Sequence, residues 1–576
     1  MISILKSILY LLNKKQKITL SILIFSIFIG SCLEILGLSL IVPLIKIALD
    51  PNIKFNNRFI SNLLNVNSIN SFFLLVFFLY LIKNIYLSLL VIFQFKWATY
   101  LQLYFSKKLF SKYINKPYIY HLSKNSSTIF KNLEEVDMFG RSVNNSVSLI
   151  SEIFLIFIIV IFLLYSYTIT AFISFLFILL IAVVYFKFSK RKLINYGIKR
   201  QKFLELRIKS IRESFGNAIK EAKINSYEDL YTNFYNQHNQ NYSEMGLKTS
   251  VLQEMPKFLL EQMAILLFFV TTVLYSLTGK SNTELISTLG LFLIVIIRII
   301  PSLRKILFCS QYINFGLASI NLIKNELKDN EDNIEIIPKK NYEKIISSDL
   351  NFYKVVFDNV SFIYPDQKSY VIKDLNFEIK KDEIIGIYGK SGSGKSTLVN
   401  LLAGLLNPTY GRILIDNMVI NEIRKFWQKK IGYVSQNTFL MDCNIIKNIA
   451  FAKNESRIDT NIINSIIKNV GLEDFIKNLP FGLETNVGEL GAKLSGGQIQ
   501  RIAIARALYR NPKLIIFDEA TNALDQENEE NIFRLINKYK KEKMIVIISH
   551  KMENLENCDK ILELTEKSWS IRKNKK

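Results

Sequence analysis

The chain has 576 residues, half of them hydrophobic, with 42 Phe and a mean hydropathy of +0.21. That value excludes an ordinary soluble globular protein of this length, and the crowding of apolar residues into the first three hundred or so positions points to membrane spans. The 73 Lys and Arg against 49 Asp and Glu give a formal charge of +24, read as the basic face of a membrane protein, with no nucleic-acid partner expected.

The opening stretch "MISILKSILYLLNKKQK" does not have the order of a signal peptide, because its lysines follow the apolar run. It is expected to form an amphipathic helix at the cytoplasmic membrane surface. Six apolar segments follow, near 18–46, 69–97, 146–167, 168–187, 256–278 and 285–308. Each approaches or exceeds the roughly 20 residues that cross ~30 Å of hydrocarbon. The third and fourth are joined by the uncharged "SYT", which predicts a tight hairpin.

The long connections, 98–145 and 188–255, carry Lys107, Lys108, Lys112, Lys116, Lys187, Lys190, Arg191, Lys192, Lys199 and Arg200. The positive-inside rule places both connections and both termini in the cytoplasm of a multi-pass inner (plasma) membrane protein. The connections have few breakers, so the spans should continue below the bilayer as long helices. A polar stretch then marks a boundary. The reading divides the chain into a six-helix all-α membrane domain, 1–325, a linker, 326–352, and an α/β domain, 353–576. In the last, "KVVFDNVSFIY", "IIGIYG", "LIIFD" and "MIVIIS" are expected strands of a mainly parallel core. The cysteines, Cys32, Cys309, Cys443 and Cys558, are scattered without metal spacing and read as reduced thiols.

Phosphate chemistry is written in the α/β part. "GKSGSGKST", comprising Gly389, Lys390, Ser391, Gly392, Ser393, Gly394, Lys395, Ser396 and Thr397, follows an apolar strand and fits G-x-x-x-x-G-K-[ST]. Glycines let backbone N–H groups encircle phosphates, Lys395 can reach the β/γ-phosphates, and the Ser396 hydroxyl can ligate Mg²⁺. "LIIFDEA" ends a buried strand in two carboxylates: Asp518, placed to hold the Mg²⁺ shell, and Glu519, placed to polarise an attacking water.

"LSGGQIQR", residues 494–501, lies between these motifs and resembles the signature sequence of ATP-binding cassette (ABC) proteins. The order of elements agrees with a P-loop ABC ATPase domain behind a membrane domain of the exporter type. The resemblance implies ATP and Mg²⁺ as cofactors. It implies adenine stacking by Tyr364, Mg²⁺ contact by Gln436, a loop linking the two ATP sites at Asp525, and a γ-phosphate switch at His550. It also implies that Glu489 touches coupling loops, and that Ser495, Gly496, Gly497 and Gln498 face the γ-phosphate held by another cassette. Glu519, His550 and Gln436 would be the catalytic set, and Ser396, Gln436 and Asp518 the metal set. With one cassette per chain and all these positions intact, a homodimer is expected ahead of a heterodimer with another half-transporter. Short docking helices are expected near 115–126 and 212–224.

The membrane region, "SCLEILGLSLIVPLIKIALD" and the run around Arg298 in "FLIVIIRIIPSLRK", resembles the PglK-type flippases of lipid-linked oligosaccharides. That family carries a short external helix where this chain has residues 51–67. The resemblance implies flipping of an anionic undecaprenyl-pyrophosphate-linked oligosaccharide, with Lys83, Lys257, Arg298 and Lys305 lining a cationic cavity. A cation at the bilayer centre costs roughly 2.5–3.5 kcal/mol on insertion scales, so such residues need a function or a partner. Glu34, Glu152 and Glu261 are the available acidic partners. An exporter of peptides, drugs or other lipids is the alternative, and an ATP-gated channel or sensor a more distant one.

Overall fold

A computed structural model describes residues 2–49, 69–166, 169–276, 282–328, 352–451, 458–520, 526–565 and 568–573. The chain divides into two compact units, Met1–Lys116 with His121–Ile334, and Pro117–Tyr120 with Glu335–Lys576.

The first unit is helical. Its elements are α1 (Ile2–Leu11), α2 (Lys14–Leu49), α3 (Ile69–Ile114), α4 (Tyr118–Ser123, which straddles the division), α5 (Ser126–Ser166), α6 (Ile169–Arg212), α7 (Ile219–Ile224), α8 (Glu228–Ser276), α9 (Asn282–Phe315) and α10 (Leu317–Lys328). The described part of each of the six apolar segments falls on one long helix. At 44 residues, α6 runs about 66 Å, roughly twice the hydrocarbon thickness. Among the described residues, Lys14–Gly37, Val76–Ile114 and Ser126–Ile161 are long and apolar enough to cross a membrane, and a bent pair, Ile299–Phe315 with Leu317–Lys328, passes the same test. Phe77, Phe157, Val184 and Phe269 are exposed, as side chains that face lipid are. Short helices occur near both expected docking positions: α4, and α7 preceded by a π-helical turn at Glu213–Asn217. Residues 51–67 lie outside the described residues.

The N-terminal expectation needs one correction. The first helix stops at Leu11, and Lys14, Lys15 and Lys17 belong to α2. The break falls before Lys14: the Asn13 backbone N–H donates to Gln16 Oε1 at 2.9 Å, so the Gln16 side chain reaches back to cap the start of α2, while the Asn13 side-chain amide donates to the distant Tyr104 hydroxyl at 2.9 Å.

Polar side chains knit the helical unit together. Arg200 of α6 grips Glu135 of α5 at 2.7 and 2.9 Å, and the Ser319 hydroxyl of α10 donates to the same carboxylate. Both charged groups are buried. Nearby the helices touch backbone to backbone: a Cβ on Gly197 would lie 2.1 Å from the Phe315 carbonyl oxygen. That contact sits at the end of α9, immediately before the 47° bend into α10.

The second unit is α/β. A six-stranded sheet has the order β10-β9-β3-β8-β7-β6, built from β3 (Ile384–Gly389), β6 (Ile431–Val434), β7 (Leu514–Asp518), β8 (Met544–Ser549), β9 (Lys560–Leu564) and β10 (Trp569–Lys573). All its pairings are parallel except that of the edge strand β10. Helices include α11 (Lys395–Leu402), α12 (Ile420–Gln428), α13 (Ile445–Ala450), α14 (Thr460–Asn469), α15 (Glu473–Lys477), α16 (Gly496–Tyr509) and α17 (Gln526–Lys540). Apolar clusters built from alternate residues of β3, β7 and β8 hold α11 and α12 in one and α13, α14 and α16 in the other. Strands buried in this way read as continuous apolar runs, which is why the sequence marks them clearly.

A second, antiparallel sheet of order β2-β1-β4-β5 was not foreseen. It comprises β1 (Lys354–Phe362), β2 (Ile372–Lys380), β4 (Tyr410–Ile415) and β5 (Met418–Val419). Its β4–β5 turn, Asp416-Asn417, has φ of 48° and 74°, the left-handed pair that closes a two-residue hairpin.

Candidate nucleotide site

The parallel sheet brings two loop ends together. β3 and β7 flank β8, with Ile387 opposite Ile548 and Asp518 also opposite Ile548. The P-loop leaving β3 and the acid pair leaving β7 therefore emerge at the same sheet edge, where ligands bind in open α/β sheets.

Gly392 and Gly394 have φ of 85° and 97°, a conformation that side chains resist. The loop they shape ends at the N-terminus of α11, whose dipole and free N–H groups favour an anion. Two observations show that phosphate fits this cradle. The Ser393 hydroxyl is buried and has no hydrogen-bond partner among the described residues. The Lys395 ammonium folds back onto the carbonyls of Gly389 and Lys390 at 2.6 and 2.9 Å, holding a place that a stronger acceptor would claim. Gly389, Lys390, Ser391, Ser396 and Thr397 complete the loop. Tyr364, half-buried, meets the Thr397 hydroxyl at 3.1 Å and sets its ring edge against Phe362.

The acids are held from several sides. Glu519 has φ of 50°, unusual for a side-chain-bearing residue and typical of backbone strained at a functional site. Its N–H donates to the Ile548 carbonyl at 3.1 Å. The Gln436 amide donates to one carboxylate oxygen at 2.6 Å, and His550 Nδ1 lies 3.5 Å from the other. Burial pushes the Asp518 carboxyl above its ordinary range; the Tyr433 hydrogen bond and the Lys395 charge oppose that shift, and the Glu519 charge reinforces it. Lys395, Asp518, Glu519, Gln436 and His550 thus lie together in one constellation. Ser396, Asp518 and Gln436 are the residues that would hold a Mg²⁺ ion, their hydroxyl, carboxylate and amide being oxygen donors.

The signature residues form a different piece. Ser495 caps α16, accepting from Gln498 N at 3.3 Å, while the Gln498 side chain accepts from Ser495 N at 2.9 Å. Gly496 and Gly497 form the first turn. A groove of about 450 Å³ runs between this helix start and the segment Gln436–Phe439. Arg506, further along α16, donates to the carbonyls of Phe439 and Asn448, both at 2.8 Å, and so ties that segment to the signature helix. Sequence reading missed Arg506 and Tyr433, because their partners are distant in sequence. Glu489 is exposed, and Asp525 lies outside the described residues.

The membrane cations occupy separate surroundings. Lys83 lies over the Tyr80 ring at 4.1 Å, and Lys257 is 5.6 Å from the Phe258 ring centre. Lys305 pairs with Glu152 at 2.8 Å, and its neighbour Arg304 with Glu254 at 2.7 Å. The Arg298 side chain lies outside the described residues.

Comparison with known proteins agrees with the cassette geometry. The ABC transporter family model matches residues 372–522. The alpha-hemolysin translocation ATP-binding protein HlyB of Escherichia coli is 42% identical over 209 residues, 36% of this chain and 29% of that protein. The Toxin RTX-III translocation ATP-binding protein of Actinobacillus pleuropneumoniae is 40% identical over 226 residues, 39% of this chain and 32% of that protein. The chain therefore matches less than a third of the length of these curated relatives. Among solved structures, a bacterial Atm1-family ABC exporter with ATP bound aligns over 97% of this chain and 96% of its own, with TM-score 0.78 and 21% identity. Residues 372–522 thus match the ABC transporter family, and the chain has the fold of an Atm1-family ABC exporter.

Proposed function

We propose that the chain is an ATP-hydrolysing half-transporter that works as a homodimer and exports its cargo across the inner membrane. The constellation of Gln436, Glu519 and His550 beside Asp518 and Lys395 carries this reading. The strained Glu519 carboxylate, held by the Gln436 amide at 2.6 Å, orients water for attack and takes its proton. Lys395 leaves its two carbonyls to hold the phosphates. Ser396, Asp518 and Gln436 would hold Mg²⁺, which would supply neutralisation of phosphate charge. Ser495 of the partner chain, at the start of its α16, closes the site over the terminal phosphate, so ATP joins two cassettes.

For the cargo, we propose an anionic lipid-linked substrate, most specifically an undecaprenyl-pyrophosphate-linked oligosaccharide, moved from the cytoplasmic to the outer leaflet. The support is the placing of Lys83, Lys257 and Arg298 on membrane-length helices, where a cation is costly. Lys305 is assigned differently: its ion pair with Glu152 gives it a structural partner. The relatives named for toxin translocation favour a second reading, export of a peptide or protein, but that likeness covers only 36–39% of this chain. Reconstituted liposomes decide between the two. ATP-dependent flipping of a pyrophosphate-linked oligosaccharide lipid, lost in Arg298→Ala while its ATPase persists, is the expected result. No flipping by a wild-type protein that hydrolyses ATP would overturn the cargo assignment.

A further inference from the structure

Both acids at the end of β7 are held from the same neighbouring strand. β6 runs parallel to β7, with Tyr433 opposite Ile516. From there the Tyr433 hydroxyl donates to Asp518 Oδ2 at 2.8 Å. Three residues later, as the chain leaves β6, the Gln436 amide grips Glu519 at 2.6 Å. A phenol is a single O–H donor at neutral pH, so this bond takes up one carboxylate oxygen and fixes the rotation of the group. The other oxygen remains for the metal shell.

We propose that Tyr433 is a positioning residue that holds Asp518 with one oxygen turned towards the Mg²⁺ of the bound nucleotide. This rests on the proposed hydrolytic site and adds to it a residue outside the P-loop, the acid pair and the signature. Groups that orient a metal-ligating carboxylate typically change metal affinity by about 10–100-fold when removed. The ring of Tyr433 is half-exposed, so Tyr433→Phe keeps its packing and removes only the hydroxyl.

The test uses the full-length protein with a non-hydrolysable ATP analogue and Mn²⁺, whose free fraction is read by electron paramagnetic resonance. Tyr433→Phe should weaken Mn²⁺ binding in the presence of the analogue by about 10-fold or more. Analogue binding in EDTA and the melting temperature without nucleotide should match wild type. The Mg²⁺ midpoint of ATPase activity should rise by the same factor, with maximal rate largely recovered at high Mg²⁺. Mn²⁺ affinity within twofold of wild type would overturn the positioning role. So would equal losses of analogue binding with and without metal, which would mark Tyr433 as merely structural. Failure of the wild-type protein to bind the analogue at all would instead overturn the underlying nucleotide-site reading.

Discussion

Replacing Arg200 with Ala removes one partner of the buried Arg200–Glu135 pair and leaves the carboxylate without its cation. Glu135 is fully buried and receives both short Arg200 contacts, 2.7 and 2.9 Å, so little solvent is available to compensate it. Breaking a buried pair on one side costs about 3–5 kcal/mol. At roughly 2–4 °C per kcal/mol for a large domain, the thermal midpoint should fall by about 6–20 °C. Arg200→Met with Glu135→Leu should recover most of that loss, because an apolar pair of similar volume avoids the desolvation cost. Detergent-solubilised protein followed by intrinsic fluorescence or static light scattering reads both variants. An Arg200→Ala protein as stable as wild type, or a double variant less stable than the single, would refute the reasoning.

Gly197→Ala should lower stability by at least 1–3 kcal/mol, because the new methyl meets the fixed Phe315 carbonyl. Gly316→Ala meets the Ser142 hydroxyl instead, and Ser142→Ala added to it should restore part of the loss; thermal scans of the three proteins check the contrast. Lys395→Ala should abolish nucleotide binding, measured by fluorescent-analogue titration. Mixed with Ser495→Arg chains, it should regain part of the ATPase activity, since one composite site in the mixed dimer is then intact; no recovery in isolated mixed dimers would contradict shared sites.

The strands that carry chemistry were legible because they are buried on both faces and end in motifs: β3 runs into the P-loop and β7 into Asp518-Glu519. The long helices of the first unit were legible from apolar length; among the described residues three of them, and one bent pair, are long and apolar enough to cross a membrane. What escaped depends on pairing across long separations. β1 and β4 meet across the intervening P-loop, and nothing local distinguishes their partners. Lys112 and Arg200 were counted as cations that set membrane topology, yet both are buried: Lys112 donates to the Glu326 carbonyl and Arg200 to Glu135. A charge count along a sequence does not distinguish a solvated lysine from a neutralised one. The same holds for Lys305, which the flippase resemblance placed in a cargo cavity and which pairs with Glu152 at 2.8 Å. Tyr433 had no visible role in the sequence, because its partner Asp518 lies 85 residues away.

The central claim is that Glu519 drives ATP hydrolysis from the cassette. The most direct measurement is steady-state ATPase activity and ATP binding on the same preparations of wild-type and Glu519→Gln protein. The amide keeps the size of the side chain but cannot take a proton, so turnover should fall by about 10²–10⁴-fold, with ATP still bound and the dimer held closed in gel filtration. Near-wild-type turnover by a well-folded Glu519→Gln protein would contradict the account.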